Sequence, residues 1–300
     1  MSILVAGSVA LDSIRTPFGN RKEILGGSAT FFSMTASFFN KVNIVAAVGE
    51  DFPKKYIALL KKKSVGLEGL DIRKGSKTFR WSGKYEYDLG TAHTIATHLN
   101  VFRDFDPKVP GSLRRPRALF LANIDPDLQL KVLKQVARPK LVACDSMNYW
   151  IQSRRKSLIK LLKNVDVFLL NDGEARQLTG EGNLLKAARR ALSYGPKAVV
   201  VKKGEHGVIY FSRNYHFISP AYLLETVRDP TGAGDTFAGG MIGYLSTVKG
   251  ISAPAICRGI AYGSVLASFT VEDFGIDRLR RISMRDIRRR YEHFKKITRF

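Results

Sequence analysis

Short apolar segments alternate with amphipathic segments along most of the chain. Six segments are apolar throughout and rich in β-branched residues, as strands buried on both faces are; they span residues 3–7, 43–48, 118–122, 141–145, 165–170 and 198–201. Helical periodicity lies between them, at residues 27–39, 53–63, 128–137, 153–162 and 184–192. This alternation predicts an α/β fold of three layers, with a mainly parallel central sheet flanked by helices.

The pattern changes after residue 201. A hairpin, two long apolar helices and a basic amphipathic helix are predicted there, at residues 207–218, 233–248, 253–269 and 284–297. Gly240 and its small neighbours leave one face of the first long helix nearly bare. The second long helix can therefore approach closely near Gly263.

Two polar and aromatic segments, residues 13–25 and 77–101, interrupt the alternation. The turn-forming pairs Gly19-Asn20 and Ser82-Gly83 suggest strands within them. We predict a small antiparallel β lid inserted into one domain that spans residues 1–300. Its exposed edge favours a homodimer formed through the lid. Its aromatic side chains offer either stacking surfaces for a substrate or a small core; they are Phe18, Phe79, Trp81, Tyr85, Tyr87 and Phe102.

Composition narrows the class of protein. The chain has 300 residues, 45% apolar and 25% charged, which is ordinary for a soluble globular protein. No run of about 18 apolar residues exists and the start turns polar early, so neither a membrane span nor a signal peptide is predicted. Cys144 and Cys257 form neither a disulfide framework nor a metal-ligand spacing, which favours the cytoplasm.

The net charge is unusual: 49 Lys and Arg against 26 Asp and Glu give +23. Such a surface attracts anions, whether ATP, phosphosugars or nucleic acid. The basic runs are short and scattered, and no run is interleaved with aromatic residues as in RNA-binding segments. The pattern therefore argues against nucleic acid as a partner and leaves the reason for the basic surface open.

The strongest chemical signal is the run DPTGAGDTFAGG at residues 229–240. Gly232 and Gly234 permit a tight loop, and a helix beginning near Ala233 adds its unpaired amides and the positive end of its dipole. Together they predict an anion hole for phosphate oxygens. Asp235, in the first turn, is placed to accept a proton from an attacking hydroxyl. The alternative is that the glycines only turn the chain and Asp235 only favours the helix dipole.

Other phosphate-binding motifs are missing from the sequence. It has no Gly-x-x-x-x-Gly-Lys-Ser/Thr, since Gly75-Ser-Lys77-Thr lacks the adjacent Gly-Lys pair. It has no Gly-x-Gly-x-x-Gly after the first strand either, where only Gly7 is present. Residues 229–240 are therefore the leading candidate for phosphate binding.

Residues 229–240 resemble the C-terminal signature of the ribokinase (PfkB-type) family of carbohydrate and nucleoside kinases. Gly26-Gly27 resembles the family's di-glycine motif, which packs under the substrate, and Asp12 resembles an aspartate that binds substrate hydroxyls. The order and spacing hold over essentially the whole chain. The resemblance implies a ribokinase-like fold and ATP-dependent phosphorylation of a sugar-like hydroxyl, with a nucleoside as the alternative acceptor. It also implies Asn148 as an acceptor contact.

On the nucleotide side the resemblance implies ATP and Mg²⁺ as cofactors. Asn171-Asp-Gly-Glu174 resembles the family's Asn-x-x-Glu motif, with Glu174 holding Mg²⁺ through water; its alternative role is helix capping. The segment from Lys203 through Gly204 to Gly207 resembles the strand-end glycine motif that lines the nucleotide site. The resemblance also implies that Thr231 and Gly263 contact the nucleotide. It implies a site for a monovalent cation such as K⁺ at Asp229.

Physical reasoning agrees with these positions. Ligands of open parallel sheets bind beyond the carboxyl ends of the strands, and Asp12, Asn171 and Gly204 each follow a predicted strand. In the expected mechanism the amides of Gly232, Ala233 and Gly234 stabilise the moving phosphoryl group, and no lysine is required.

The sequence departs from the family at Phe31, where many sugar kinases carry asparagine. A polar sugar contact is then missing, and Phe31 is expected to face an apolar or aromatic part of the substrate, as a nucleoside has. A different class is a catalytically inactive nucleotide-binding regulatory or nucleic-acid-associated protein. The intact Asp235, Asn171 and Glu174 argue against it.

Overall fold

The apolar segments form a nine-stranded sheet in the computed structural model, which describes residues 2–298. In spatial order its strands are His216–Ser219 (β13), Val208–Ser212 (β12), Ala198–Lys202 (β11), Val167–Asn171 (β10), Leu141–Asp145 (β9), Ala118–Leu121 (β8), Ser2–Ala6 (β1), Lys41–Gly49 (β4) and Val65–Arg73 (β5). The strands from β11 to β5 are parallel, and the β12–β13 hairpin adds to β11 antiparallel. The parallel strands therefore place their carboxyl ends along one edge.

Both faces of this sheet are covered by helices. One layer contains Ser28–Ala36 (α1), Lys54–Lys62 (α2), Ala233–Leu245 (α8), Ala253–Thr270 (α9), Asp277–Arg281 (α10) and Met284–Ile297 (α11). The opposite layer contains Pro126–Lys134 (α3), Asn148–Ser153 (α4), Arg155–Leu162 (α5), Asp172–Thr179 (α6) and Leu184–Ser193 (α7). Successive residues of a strand point to opposite faces, so Ile3 lies in the first core and Leu4 in the second. The predicted three-layer α/β fold is confirmed.

The lid is a second, four-stranded sheet made of Ala10–Thr16 (β2), Gly19–Gly26 (β3), Arg80–Tyr85 (β6) and Ala92–His98 (β7). Each of its two hairpins is antiparallel, and a parallel β2–β6 pair joins them. The lid begins at Ala10, three residues before the predicted start. Asp12 consequently lies inside β2 rather than in a loop after β1.

Three local predictions were wrong or incomplete. Ser82-Gly83 lies inside β6 and not in a turn: the Trp81 ring covers Gly83, where a Cβ would lie 2.2 Å from Cη2 of Trp81. The helix predicted at 153–162 is observed as α5 from Arg155, and the short helix α4 before it was not predicted; Arg154 leaves helical geometry (φ −131°) between the two. The edge strand β5 was not predicted at all.

Helices α8 and α9 pack at very short range, as their small residues predict. A Cβ built on Gly240 would lie 2.9 Å from Cα of Gly263, so neither position has room for a side chain. This packing fixes α8 against the sheet and hence the position of its first turn. Within residues 2–298, no helix is long and apolar enough to span a membrane.

Candidate active site

The loop before α8 is tied down by Asp229. This carboxylate is fully buried, and its two oxygens accept hydrogen bonds from the amides of Thr231 and Gly275, each at 2.9 Å. Burial raises the pKa of Asp229, and these amide bonds oppose that rise. Asp229 thus anchors the loop to the chain after α9. A monovalent cation at Asp229 stays a prediction.

Gly232 lies where only glycine fits. Its φ is +76°, and a Cβ there would lie 2.4 Å from the ring of Phe31. Phe31 is 1% exposed, so its ring supports the loop from below and offers almost no surface to an acceptor. The observed contact of Phe31 is therefore with Gly232, in place of the substrate face that we expected.

The start of α8 presents unpaired amides, with one difference from the prediction. The Ala233 amide donates to the carbonyl of Pro230 at 3.1 Å, which takes Ala233 out of the predicted anion hole. No side chain in the described part of the chain caps this helix. The amides of Gly234 and Asp235, in the first turn, are left to bind an anion with the support of the helix dipole.

Asp235 lies in this first turn and keeps part of its surface accessible. Shielding from bulk water raises the pKa of Asp235 to about 6, while the positive charge of Lys202 and a hydrogen bond with Asp145 oppose the rise. At neutral pH the carboxylate form therefore predominates. It is placed to accept a proton from a hydroxyl held beside the loop.

Asp145 and Lys202 belong to this site, and the sequence reasoning missed both. Asp145 is 4% exposed at the end of β9, and Lys202 ends β11. Burial and the neighbouring Asp235 charge raise the pKa of Asp145 well above its usual range. This rise favours the neutral form of Asp145 beside the Asp235 carboxylate. Strand-end position, the signal used for Asn171, would have found both residues.

Asp12 faces the same space from the lid side. It is 5% exposed, and a Cβ on Gly26 would lie 1.8 Å from its Oδ2, so glycine there makes room for the carboxyl group. Burial raises the pKa of Asp12 to about 7; the Gly27 amide opposes this, and the charges of Asp229 and Asp235 add to it. Gly26 thus makes room for the Asp12 carboxyl group, and the Gly27 amide stabilises its charged form.

Tyr85, the last residue of β6, connects the lid to the loop. Thr231 Oγ1 donates to its hydroxyl at 3.2 Å, and burial raises the pKa of the phenol. The observed contact of Thr231 is therefore with the lid, and its predicted nucleotide contact stays a prediction. The rings of Phe79 and Phe102 pack against each other at a tilt beside the lid, with centroids 5.6 Å apart, while Tyr87 is 84% exposed.

Asn171 and Glu174 form a capping box at the start of α6. Asn171 Oδ1 accepts from the Glu174 amide and Glu174 Oε2 accepts from the Asn171 amide, both at 2.7 Å. Burial raises the pKa of Glu174, and Lys202 opposes the rise. The capping alternative is thus realised, and it leaves Oε1 of Glu174 available at the carboxyl edge of the sheet.

The remaining predicted residues differ in how they fit. Gly204 (φ +56°) is exposed with open space beside it, and Lys203 precedes it; a Cβ on Gly207 would lie 2.1 Å from the carbonyl of Ser219. Asn148 is exposed at the start of α4, where its Oδ1 accepts from the Tyr149 amide. Gly263 is buried in the α8–α9 contact, and its predicted nucleotide contact stays a prediction.

Comparison with known proteins agrees with this fold and site. The model of the pfkB family carbohydrate kinases matches residues 19–279. A cytidine kinase of Thermococcus kodakarensis is 28% identical over 249 residues, which cover 81% of this chain and 88% of the relative. This chain therefore belongs to the pfkB carbohydrate kinase family, whose members are ATP-dependent phosphotransferases that act on hydroxyl groups.

Solved structures share the whole fold. The nucleoside kinase of Methanocaldococcus jannaschii aligns with a TM-score of 0.78 and 20% identity, over 97% of this chain and 98% of its own. An Escherichia coli protein in complex with ATP and Mg²⁺ aligns with a TM-score of 0.75 and 19% identity, over 97% of this chain and 99% of its own. The ribokinase-like fold is thus established across the chain.

Proposed function

We propose that this protein transfers the γ-phosphoryl group of ATP to a hydroxyl of a sugar-like acceptor, with Asp235 as the catalytic base. The observation that carries the proposal is the accessible Asp235 carboxylate in the first turn of α8, beside a glycine-built anion loop. The ribose of a nucleoside is the first candidate acceptor, because a cytidine kinase is among the relatives. A free sugar is the second.

The acceptor lies between Asp12 and Asp235 in this proposal. Asp12 fixes a neighbouring hydroxyl, and the attacking hydroxyl gives its proton to the Asp235 carboxylate. The oxygen–phosphorus bond to the acceptor forms as the bond from the γ-phosphorus to the β–γ bridging oxygen breaks, and ADP leaves with that electron pair. The amides of Gly234 and Asp235 hold the phosphoryl oxygens.

The donor set suits a nucleotide-borne Mg²⁺. Within residues 2–298, no three His, Cys, Asp or Glu side chains converge as a protein-only metal site. Mg²⁺ usually keeps several waters and takes one or two carboxylates together with substrate phosphates. Oε1 of Glu174, outside the capping box, can bind such an ion through water. When bound, the ion would neutralise charge on the phosphates.

The nucleotide base is proposed to lie over the C-terminal half of the sheet, near Lys203 and Gly204, where Gly204 leaves open space. We further propose a cytoplasmic location, which the free Cys144 and Cys257 support, and no partnership with nucleic acid. The exposed lid strands β3 and β7 support a homodimer through the lid.

The direct test is release of ADP from Mg-ATP in the presence of a panel of nucleosides, pentoses, hexoses and polyols. We expect one acceptor class to raise ADP release at least tenfold over ATP alone, and mass spectrometry to show the phosphorylated acceptor. Cytidine and ribose separate the two candidates. The proposal fails if no acceptor raises the rate and no phosphorylated product forms.

A further inference from the structure

Lys202 reaches the anion loop from the end of β11. Its Nζ would lie 2.8 Å from a Cβ built on Gly234, so any side chain at position 234 would displace the ammonium group. The absence of a Cβ at Gly234 therefore makes room for a cation against the loop. Gly232 shapes the loop through its positive φ, and Gly234 leaves space for the Lys202 ammonium group.

The ammonium group is the positive charge shared by three carboxyl groups. Asp145 ends β9, Glu174 follows β10, and Asp235 begins α8; the charge of Lys202 lowers the pKa of each, against the rise that burial causes. Parallel strands β9, β10 and β11 are adjacent, so the fold itself brings these groups to one edge. Without the lysine, the three carboxyl groups would repel one another.

We propose that Lys202 is a catalytic residue that binds the terminal phosphate of ATP and holds it at the amides of the anion loop. This inference rests on the function proposed above. In the free protein the ammonium group offsets the three carboxyl groups, and in the complex it contacts the γ-phosphoryl oxygens.

Lysine suits this position chemically. Its ammonium group is a compact charge with three donors on a flexible stem, which lets it follow the phosphoryl group as that group moves from ADP to the acceptor. It transfers no proton in this proposal, because Asp235 takes the proton of the hydroxyl. Its contribution is the stabilisation of negative charge on the phosphoryl oxygens.

The rival interpretation is that Lys202 is only a structural counter-ion for the carboxyl groups. Both interpretations expect Lys202→Met to raise the pKa of Asp235 and to move the acid limb of turnover to higher pH. They differ in nucleotide binding. A lysine that contacts the terminal phosphate discriminates between ATP and AMP, whereas a structural counter-ion has little effect on that ratio.

The experiment compares Lys202→Met with Lys197→Met. Lys197 lies just before the other end of the same strand, its side chain is 81% exposed, and it pairs with Asp166. Calorimetry measures the Kd of AMP and of a non-hydrolysable ATP analogue with Mg²⁺, and a coupled assay measures kcat. We expect Lys202→Met to lower the affinity ratio of the analogue to AMP by roughly tenfold or more and kcat by about 10²–10³-fold. Lys197→Met should stay within about twofold of the wild type.

The outcomes separate this inference from the proposed function. An unchanged analogue-to-AMP ratio in Lys202→Met overturns the inference, even if the wild type phosphorylates an acceptor. If the wild type phosphorylates no acceptor but the ratio still falls in Lys202→Met, phosphate contact by Lys202 stands and the kinase proposal fails. Lys202→Arg, which keeps the charge in a larger head group, is expected to retain part of the ratio.

Discussion

The two sheets contribute to the site in opposite ways. The nine-stranded sheet is buried on both faces, and its fixed strand ends carry Asp145, Asn171 and Lys202. The lid sheet is mostly exposed along β3 and β7, yet it contributes Asp12 and Tyr85. In the proposed function, phosphate chemistry therefore rests on the more deeply buried sheet. The proposed acceptor site is bordered by strands with little buried surface, which are the kind of element that opens at low cost.

The largest expected effect is that of a substitution at Asp235, beside the carboxyl edge of the nine-stranded sheet. Asp235→Asn removes the proton acceptor and keeps the shape, so we expect turnover to fall by about 10²–10⁴-fold with the fold intact. Circular dichroism and kcat are the measurements. Asp104→Asn, an exposed carboxamide substitution, is the matched control. A variant Asp235→Asn with turnover near that of the control would remove Asp235 from the chemistry.

A second prediction concerns the buried lid carboxylate and the pH dependence of stability. The pKa of Asp12 is about 7 when folded and 3.8 as the unperturbed value. The folded protein therefore retains a proton that the unfolded chain releases, and stability is lost as pH rises through about 7. Asp12→Asn removes this loss, so we expect its free energy of unfolding to exceed that of the wild type by up to roughly 4 kcal/mol at pH 8.

The same difference should be less than half as large at pH 5, because the loss of stability accumulates between about pH 4 and pH 7. Urea unfolding of both proteins at pH 5 and pH 8 measures it. A difference that does not change between the two pH values would show that Asp12 is not a strained buried charge. Comparing variants removes the contributions of the other carboxyl groups, which are common to both proteins.

A third prediction tests the support of the loop by Phe31. Gly232→Ala adds both positive-φ strain and a collision with the Phe31 ring, whereas Gly180→Ala, at φ +74° with open space around it, adds the strain alone. We expect Gly180→Ala to cost about 1 kcal/mol of stability and Gly232→Ala about 1–3 kcal/mol more. Equal losses of unfolding free energy in urea would mean that the Phe31 ring moves aside without cost.

Much of the fold could be predicted because buried strands and helices have characteristic patterns of apolar residues in the sequence. A segment such as 198–201 is apolar on both faces, which only a covered parallel sheet explains, and the glycine loop before Asp235 has a direct chemical meaning. Lys202 was missed because the strand-end signal used for Asn171 was not applied to it. Its neighbours come from separate segments, Asp145 at the end of β9 and Glu174 after β10, and the sheet order brings them together.

The lid was harder to predict for a physical reason. Three of its strands, β3, β6 and β7, bury few residues, so their sequences carry little alternation and their glycines are ambiguous. Gly83 was taken as a turn residue, but the Trp81 ring covers it within a strand. Likewise, the sequence shows that Phe31 stands where many sugar kinases carry asparagine. It does not show that Gly232 packs over the Phe31 ring. Contacts between distant segments decide both cases.

The smallest expected effect concerns the contact between the lid and the anion loop. Tyr85→Phe removes the hydroxyl that meets Thr231 Oγ1, a hydrogen bond worth about 1 kcal/mol. We expect the KM of the acceptor to rise by roughly two- to tenfold and ATP hydrolysis without acceptor to increase, because the lid closes less firmly. Tyr87→Phe, on the same lid and exposed, is the control. Identical kinetics in both variants would exclude a role for the Tyr85–Thr231 contact.

The pH dependence of kcat/KM, which reports the ionisation of the free enzyme, tests the central claim most directly. The pKa of Asp235 is about 6, and the carboxylate is the proposed active form, so kcat/KM of the wild type should decline as pH falls through about 6. In Asp235→Asn the residual rate should lose this limb. A wild-type rate that stays constant down to pH 5, or a limb near pH 6 that persists in Asp235→Asn, would contradict the assignment of Asp235 as the base.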